Sequence, residues 1–182
     1  MTFRLFTKSK VKADWRAEIA AEIAAADRVV VLGVGNPERR DDGAGAFVAA
    51  ALARRRSRLR TEAPPRTAVK IIRGAEVPES ATGEIRAFGP DLVLLVDAVA
   101  DENPAGTIRL VRPGEIAEED LTTHRLPLTL LIRYIEETFG CRVAVVGLTP
   151  ADTSPGKTLT AVVRRASDSL SKFLTAALFG RK

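Results

Sequence analysis

Four side chains with the means to do chemistry stand where apolar runs give way to loops. Asp41 and Asp42 follow the run 29–34, Asp97 ends the run 92–96, and His124, the only histidine, lies in a polar loop that enters an apolar helix. In an open parallel α/β sheet the carboxyl ends of the strands share one edge, so residues at these junctions can converge in one crevice. Two carboxylates and an imidazole suit a divalent ion such as nickel, zinc, manganese or iron, and leave positions open for water or substrate. Without a metal, two close carboxylates can share a proton and activate water. Each residue also has a plainer reading. An aspartate before a helix caps its free N–H groups, Asp97 can serve as the turn residue after a strand, and His124 can bond backbone at a helix start. Spacing alone does not separate Asp41 from Asp42.

The elements that must position these residues follow from periodicity. Asp14 precedes Trp15, Ile19, Ile23 and Ala26, which predicts a capped amphipathic helix behind a loose arm over 1–12. The runs 29–34 and 91–97 are apolar throughout and read as central strands buried on both faces. Further strands are expected at 69–72 and 141–147, and an edge strand at 107–111, where apolar and polar residues alternate. Helices are predicted over 43–59, over 126–138 with Gly140 as the stop, and from Leu159 to Leu178, where apolar residues recur at i, i+3, i+4 and i+7. Pro64-Pro65 is a breaker, and 74–88 reads as a loop with one short helix. Strands alternating with helices imply α/β architecture: a three-layer sandwich with a mostly parallel open sheet and helices on both faces. The arm and first helix occupy 1–27, and a single α/β domain occupies 28–182.

Composition narrows the function classes. With 182 residues, 46% hydrophobic and 28% charged, the chain matches ordinary globular domains rather than disordered or membrane proteins. No apolar run approaches the ~20 residues of a bilayer span. The basic segment 1–12 lacks the apolar stretch of a secretory signal, so a cytoplasmic protein without membrane insertion is expected. Cys141, alone, excludes an internal disulfide and reads as a buried, inert thiol. Five arginines between Arg54 and Arg60 could attract an acidic partner, but no aromatic residues accompany them for base stacking. They read as a solvated helix end, and no nucleic-acid partner is expected. Gly33-Val34-Gly35 invites a dinucleotide reading, yet the third glycine position is Glu38, and no phosphate cradle occurs. There is no Gly-x-Ser-x-Gly elbow, which argues against a serine hydrolase.

Several short segments in order carry a resemblance to a known family. They are Leu32-Gly33-Val34-Gly35-Asn36, Asp41-Asp42-Gly43-Ala44-Gly45, Val96-Asp97-Ala98, Pro104-Ala105-Gly106-Thr107-Ile108-Arg109-Leu110, Thr123-His124-Arg125-Leu126-Pro127-Leu128 and Val145-Val146-Gly147-Leu148-Thr149-Pro150. Over roughly 28–150 the chain resembles the nickel-iron hydrogenase maturation endopeptidases. The resemblance implies a cytoplasmic, monomeric protease that removes a C-terminal peptide from the nickel-loaded precursor of a [NiFe] hydrogenase large subunit. It places metal contact and catalysis on Asp42, Asp97 and His124, with nickel supplied by the precursor. Many members carry glutamate at the position of Asp42, and a small residue is common at that of Arg40. Arg39 and Arg40 then read either as contacts to an acidic part of the precursor or as water-facing side chains. The rival from another class is a non-catalytic, nickel-dependent escort that grips the precursor's C-terminus without cutting it.

Overall fold

The computed structural model describes residues 3–4, 14–59, 67–73, 78–111 and 128–180. Its sheet is built from β2 (Arg28–Gly33), β3 (Ala68–Arg73), β4 (Leu92–Ala100), β5 (Ile108–Val111) and β6 (Arg142–Leu148), in the order β3-β2-β4-β6-β5. β2, β3, β4 and β6 run parallel, and β5 closes one edge antiparallel to β6. The helices are α1 (Trp15–Ala24), α2 (Ala44–Arg58), α3 (Thr82–Phe88), α4 (Leu128–Phe139) and α5 (Ala161–Phe179).

Successive strand side chains point to opposite faces, and the core divides accordingly. Val29, Val31, Leu94, Val96 and Val146 join α1, α2 and α5 through Ile19, Leu52, Leu170 and Leu174. Val30, Leu32, Val93, Leu95 and Val145 join α3 and α4 through Ile85, Leu131 and Ile135. This is the expected three-layer sandwich. It explains why β2, β4 and β6 are apolar without alternation, while β3, at an edge, is only partly buried. α1 belongs to the first layer. Asp14 caps it by accepting from the Arg16 N–H at 3.0 Å, and Trp15 packs edge-on against Phe173 of α5 with ring centroids 5.2 Å apart.

Several sequence expectations are corrected. β4 does not end at Asp97 but continues to Ala100, because β6 keeps pairing through Asp97 and Ala98 and a short strand β1 (Phe3–Arg4) pairs with Val99 and Ala100. Asp97 is therefore a strand residue, not a turn or cap. Part of the expected loose arm is that strand. The last helix starts at Ala161 rather than Leu159, and α2 is entered through a 3-10 turn, Arg40–Gly43. The arginine cluster is not simply solvated: Arg56 donates to the Val69 carbonyl at 2.8 Å and lies over the Phe179 ring, and Arg55 reaches Ser171. Cys141 precedes β6 and is buried, and burial pushes its thiol up, as an inert structural cysteine requires. Among the described residues no helix is long and apolar enough to cross a membrane.

Candidate active site

The chain passes from β2 to β3 on one side and then returns to lay β4 on the other side of β2. Strand order therefore reverses between β2 and β4. In open α/β sheets the crevice for ligands lies outside the carboxyl ends at such a switch point. Asp42 follows β2 and Asp97 lies near the end of β4, so topology alone brings this pair to the crevice.

Glycine makes the approach close. Val34 stays tied to β4 through its N–H to the Val96 carbonyl at 2.9 Å, and Gly35 then takes φ +118°. A Cβ on Gly35 would stand 1.8 Å from the Asp42 carbonyl oxygen and 3.4 Å from Asp97 Oδ1, so only bare backbone fits between the two acids. Gly45, in the first turn of α2, serves the same end: its Cβ would lie 2.0 Å from the Val96 carbonyl oxygen and 2.4 Å from that of Val34.

Asp42 and Asp97 are both buried, at 1% and 0% exposure. Asp42 Oδ2 accepts from the Asn36 N–H at 3.2 Å. Asp97 Oδ1 accepts from the Ala98 N–H at 2.7 Å, while its Oδ2 has no hydrogen-bond partner among the described residues. Burial pushes the Asp97 carboxyl well above the usual carboxylate range; the nearby Asp42 charge acts in the same direction, and the Ala98 N–H opposes it. A desolvated carboxyl beside a second one requires a proton or a cation, since two adjacent negative charges in a dry cleft are strongly disfavoured. The orphaned oxygen and the all-oxygen donor set of this pair fit a divalent ion. His124 lies outside the described residues, and among the described residues no cluster of three metal-ligating side chains forms. The structure thus brings together Asp42 and Asp97 of the three expected residues.

Asp41, one residue away, has a different environment. It is fully buried and saturated: Oδ1 accepts from the Thr160 N–H at 2.7 Å, and Oδ2 from the N–H groups of Ala151 and Asp152 and the Thr160 hydroxyl at 2.9, 3.0 and 2.8 Å. It caps neither α2 nor the site; it binds the loop that leaves β6. Arg40 also turns inward to that loop, with Nε 3.2 Å from both Asp152 Oδ2 and Ser154 Oγ, so it is neither simply water-facing nor directed at a partner. Arg39 is exposed.

Asp101 is a residue that sequence reasoning missed. It accepts from Asn103, from Arg109 Nε at 3.0 Å and from the Thr149 hydroxyl at 2.9 Å, tying the ends of β4, β5 and β6 together. Its visible signal was Asp101-x-Asn103, an Asx turn in which the Asn103 N–H donates to Asp101 Oδ1 at 3.0 Å.

Known proteins resemble this chain in sequence and in fold. The family model described as hydrogenase maturation protease (HycI) matches residues 52–177, a span that includes Asp97 and His124 and begins beyond Asp42. The hydrogenase 3 maturation protease of Escherichia coli K12 is 36% identical over 122 residues, 66% of this chain and 72% of that one. The crystal structure of the [NiFe] hydrogenase maturation protease HycI from Thermococcus kodakarensis KOD1 superposes with a TM-score of 0.76 at 29% identity, covering 88% of this chain and 98% of the other. A crystal structure of a hydrogenase 3 maturation protease gives 0.67 at 30% identity, over 84% and 92%. With a family match over more than half its length and the same sandwich fold, the chain belongs to the hydrogenase maturation protease family and is a peptidase.

Proposed function

We propose that this chain is the endopeptidase that removes a C-terminal peptide from the nickel-loaded precursor of a [NiFe] hydrogenase large subunit. It acts in the cytoplasm as a monomer, and Asp42, Asp97 and His124 engage the nickel carried by the precursor. The observation that carries this reading is the unpartnered, buried Asp97 Oδ2 beside Asp42. Asp97 so placed is poorly satisfied alone, and a cation arriving with the substrate supplies the missing partner. Nickel is here part of the substrate rather than a resident cofactor.

The chain's own groups then divide the work. The Asn36 N–H orients Asp42, and the Ala98 N–H orients one oxygen of Asp97, leaving the other free to face the incoming group. Burial and the nearby Asp42 charge favour the neutral form of Asp97, and a cation at its free oxygen would favour the charged form. The bound metal supplies Lewis acidity for the scissile carbonyl and its water, and an aspartate of the pair can accept the water's proton. A precursor without nickel brings no cation to Asp97 Oδ2, so cleavage waits for metal insertion.

The test is the intact mass of a nickel-loaded large-subunit precursor after incubation with wild type, with Asp42→Asn and with His124→Ala. Loss of one discrete C-terminal peptide with wild type alone is the expected result. An unchanged mass in every sample, with a stable complex still formed by wild type, sinks the peptidase mechanism and favours the escort.

A further inference from the structure

The acidic turn and the loop that leaves β6 meet through one side chain. Asp41 is buried completely, and its two oxygens accept four hydrogen bonds from Ala151, Asp152 and Thr160. Asp42, the next residue, looks the other way, toward the Asn36 N–H and Asp97. One peptide link therefore separates the loop's anchor from a residue of the cleft. The loop belongs to the same edge, because it leaves β6 at Leu148, which pairs with Ala98, the neighbour of Asp97.

Two further observations indicate that this junction is held against local preference. Thr160 stands at the N-cap of α5, yet its hydroxyl makes no capping bond to that helix and is given to Asp41 instead. A cap of this kind stabilises a helix where it forms. Arg40 sits at φ +41°, in the left-handed region, although it is not glycine. Such a conformation persists where its surroundings impose it. Here the surroundings are three backbone bonds between the two loops: Arg40 N–H to Gly156 O at 2.7 Å, Gly156 N–H to Glu38 O at 2.8 Å, and Asp41 N–H to Asp152 O at 3.1 Å.

From this geometry we infer that Asp41 is a positioning residue for cleavage: by tying the β6 exit loop to the acidic turn, it sets where Asp42 stands in the cleft. The inference rests on the peptidase reading above. Freed from the loop, the turn can shift as a unit, and a displacement of about 1 Å at a reacting group costs on the order of a hundredfold in rate.

The experiment is steady-state cleavage of the nickel-loaded precursor by wild type, Asp41→Asn, Thr160→Val and Thr160→Ser, well below the lowest melting temperature, with Asp42→Asn as the inactive reference. Asp41→Asn should lower kcat by about tenfold to a hundredfold with KM little changed. Thr160→Val, which removes one donor and keeps the shape, should give a smaller fall that Thr160→Ser largely restores. Should Asp41→Asn fail to fold, the Thr160 pair carries the same test. Folded variants with wild-type kcat and KM but lowered Tm reduce Asp41 to a staple of the fold and overturn the inference. So does a rise in KM at constant kcat, because the loop would then bind substrate without placing Asp42. A wild type that leaves the precursor uncut sinks the peptidase reading and this inference with it.

Discussion

Asp91 and Asp97 flank and end the apolar stretch of one strand, and they live under opposite conditions. Asp91, just before β4 at the amino edge of the sheet, is exposed, and its Oδ2 accepts from the N–H groups of Asp27 and Arg28 at 3.0 and 2.8 Å. Nearby, Arg28 donates to the Gly89 carbonyl at 2.8 Å and lies over the Phe88 ring. At the carboxyl edge Asp97 is buried, and one of its oxygens has no partner among the described residues. The amino edge uses its polar groups to finish the ends of the sheet. The carboxyl edge keeps a desolvated acid incompletely satisfied, a cost that makes sense where a substrate completes the site. Stability is given up where function needs an unsatisfied group, and it is secured at the far end of the same strand.

The widest gap between the two edges should appear on neutralising each acid. Asp97→Asn is expected to abolish precursor cleavage, by about a hundredfold or more, while raising Tm, since each kcal/mol moves Tm by roughly 2–4 °C at this chain length. Asp91→Asn should leave cleavage unchanged and lower stability by about 1 kcal/mol through its two backbone bonds. Cleavage assays and thermal melts on the two variants check this; an Asp97→Asn protein that melts lower than wild type would break the contrast.

Glycines offer a second comparison. Gly45→Ala places a methyl 2.0 Å from the Val96 carbonyl oxygen and should cost more than about 3 kcal/mol, lifting α2 off the strand ends. Gly89, past the end of α3 at φ +61°, is open on its side-chain side: a methyl added there meets nothing within 4 Å. Gly89→Ala should therefore cost only about 1 kcal/mol of backbone strain. Urea titrations of the two variants measure the difference, and equal losses would show that the carboxyl edge is no tighter than the amino edge.

The pH dependence of the Asp97→Asn gain sharpens the same point. Asp97 has a folded-state pKa above its unfolded value, so it favours folding most below about pH 4, and that contribution is lost as pH rises toward the folded pKa. In metal-free protein the excess Tm of Asp97→Asn over wild type should therefore be small near pH 4 and widen with rising pH. A constant gap across that range would mean that the variant acts by packing instead. The smallest effect belongs to the exposed pair of Lys157 and Glu38, 3.4 Å apart at the rim of the carboxyl edge. Glu38→Gln should change stability by less than about 0.5 kcal/mol, a near-zero reference in the same melts.

Much of the fold is legible in the sequence because it depends on short-range pattern. β2 and β4 show unbroken apolar runs, and Asp42 and Asp97 lie just beyond or near their ends. Residue type and junction position pick out Asp97 and the adjacent Asp41 and Asp42, but not which of those two turns toward Asp97. The two residues of β1 are too few to carry any periodicity, and they pair only because β4 runs past β2. The continuation of β4 through Asp97 is hidden for a related reason: its pairing comes from β6, fifty residues later in the chain. Asp101 escapes notice because Arg109 reaches it across a turn and Thr149 from a strand end far along the chain, contacts that only the folded chain makes.

By itself the sequence determined the alternation of strands and helices, the burial of the central strands and the acidic character of the carboxyl-edge junctions. These follow from hydrophobic period, glycine placement and side-chain type, which are local properties. The tertiary structure decided the strand order that makes β2 and β4 neighbours, and with it the meeting of Asp42 and Asp97. It also decided that of two adjacent aspartates one is saturated by a loop and the other turns toward Asn36 and Asp97. Neighbouring side chains diverge according to the backbone angles of a single 3-10 turn, and those angles are imposed by hydrogen bonds to residues more than a hundred positions away.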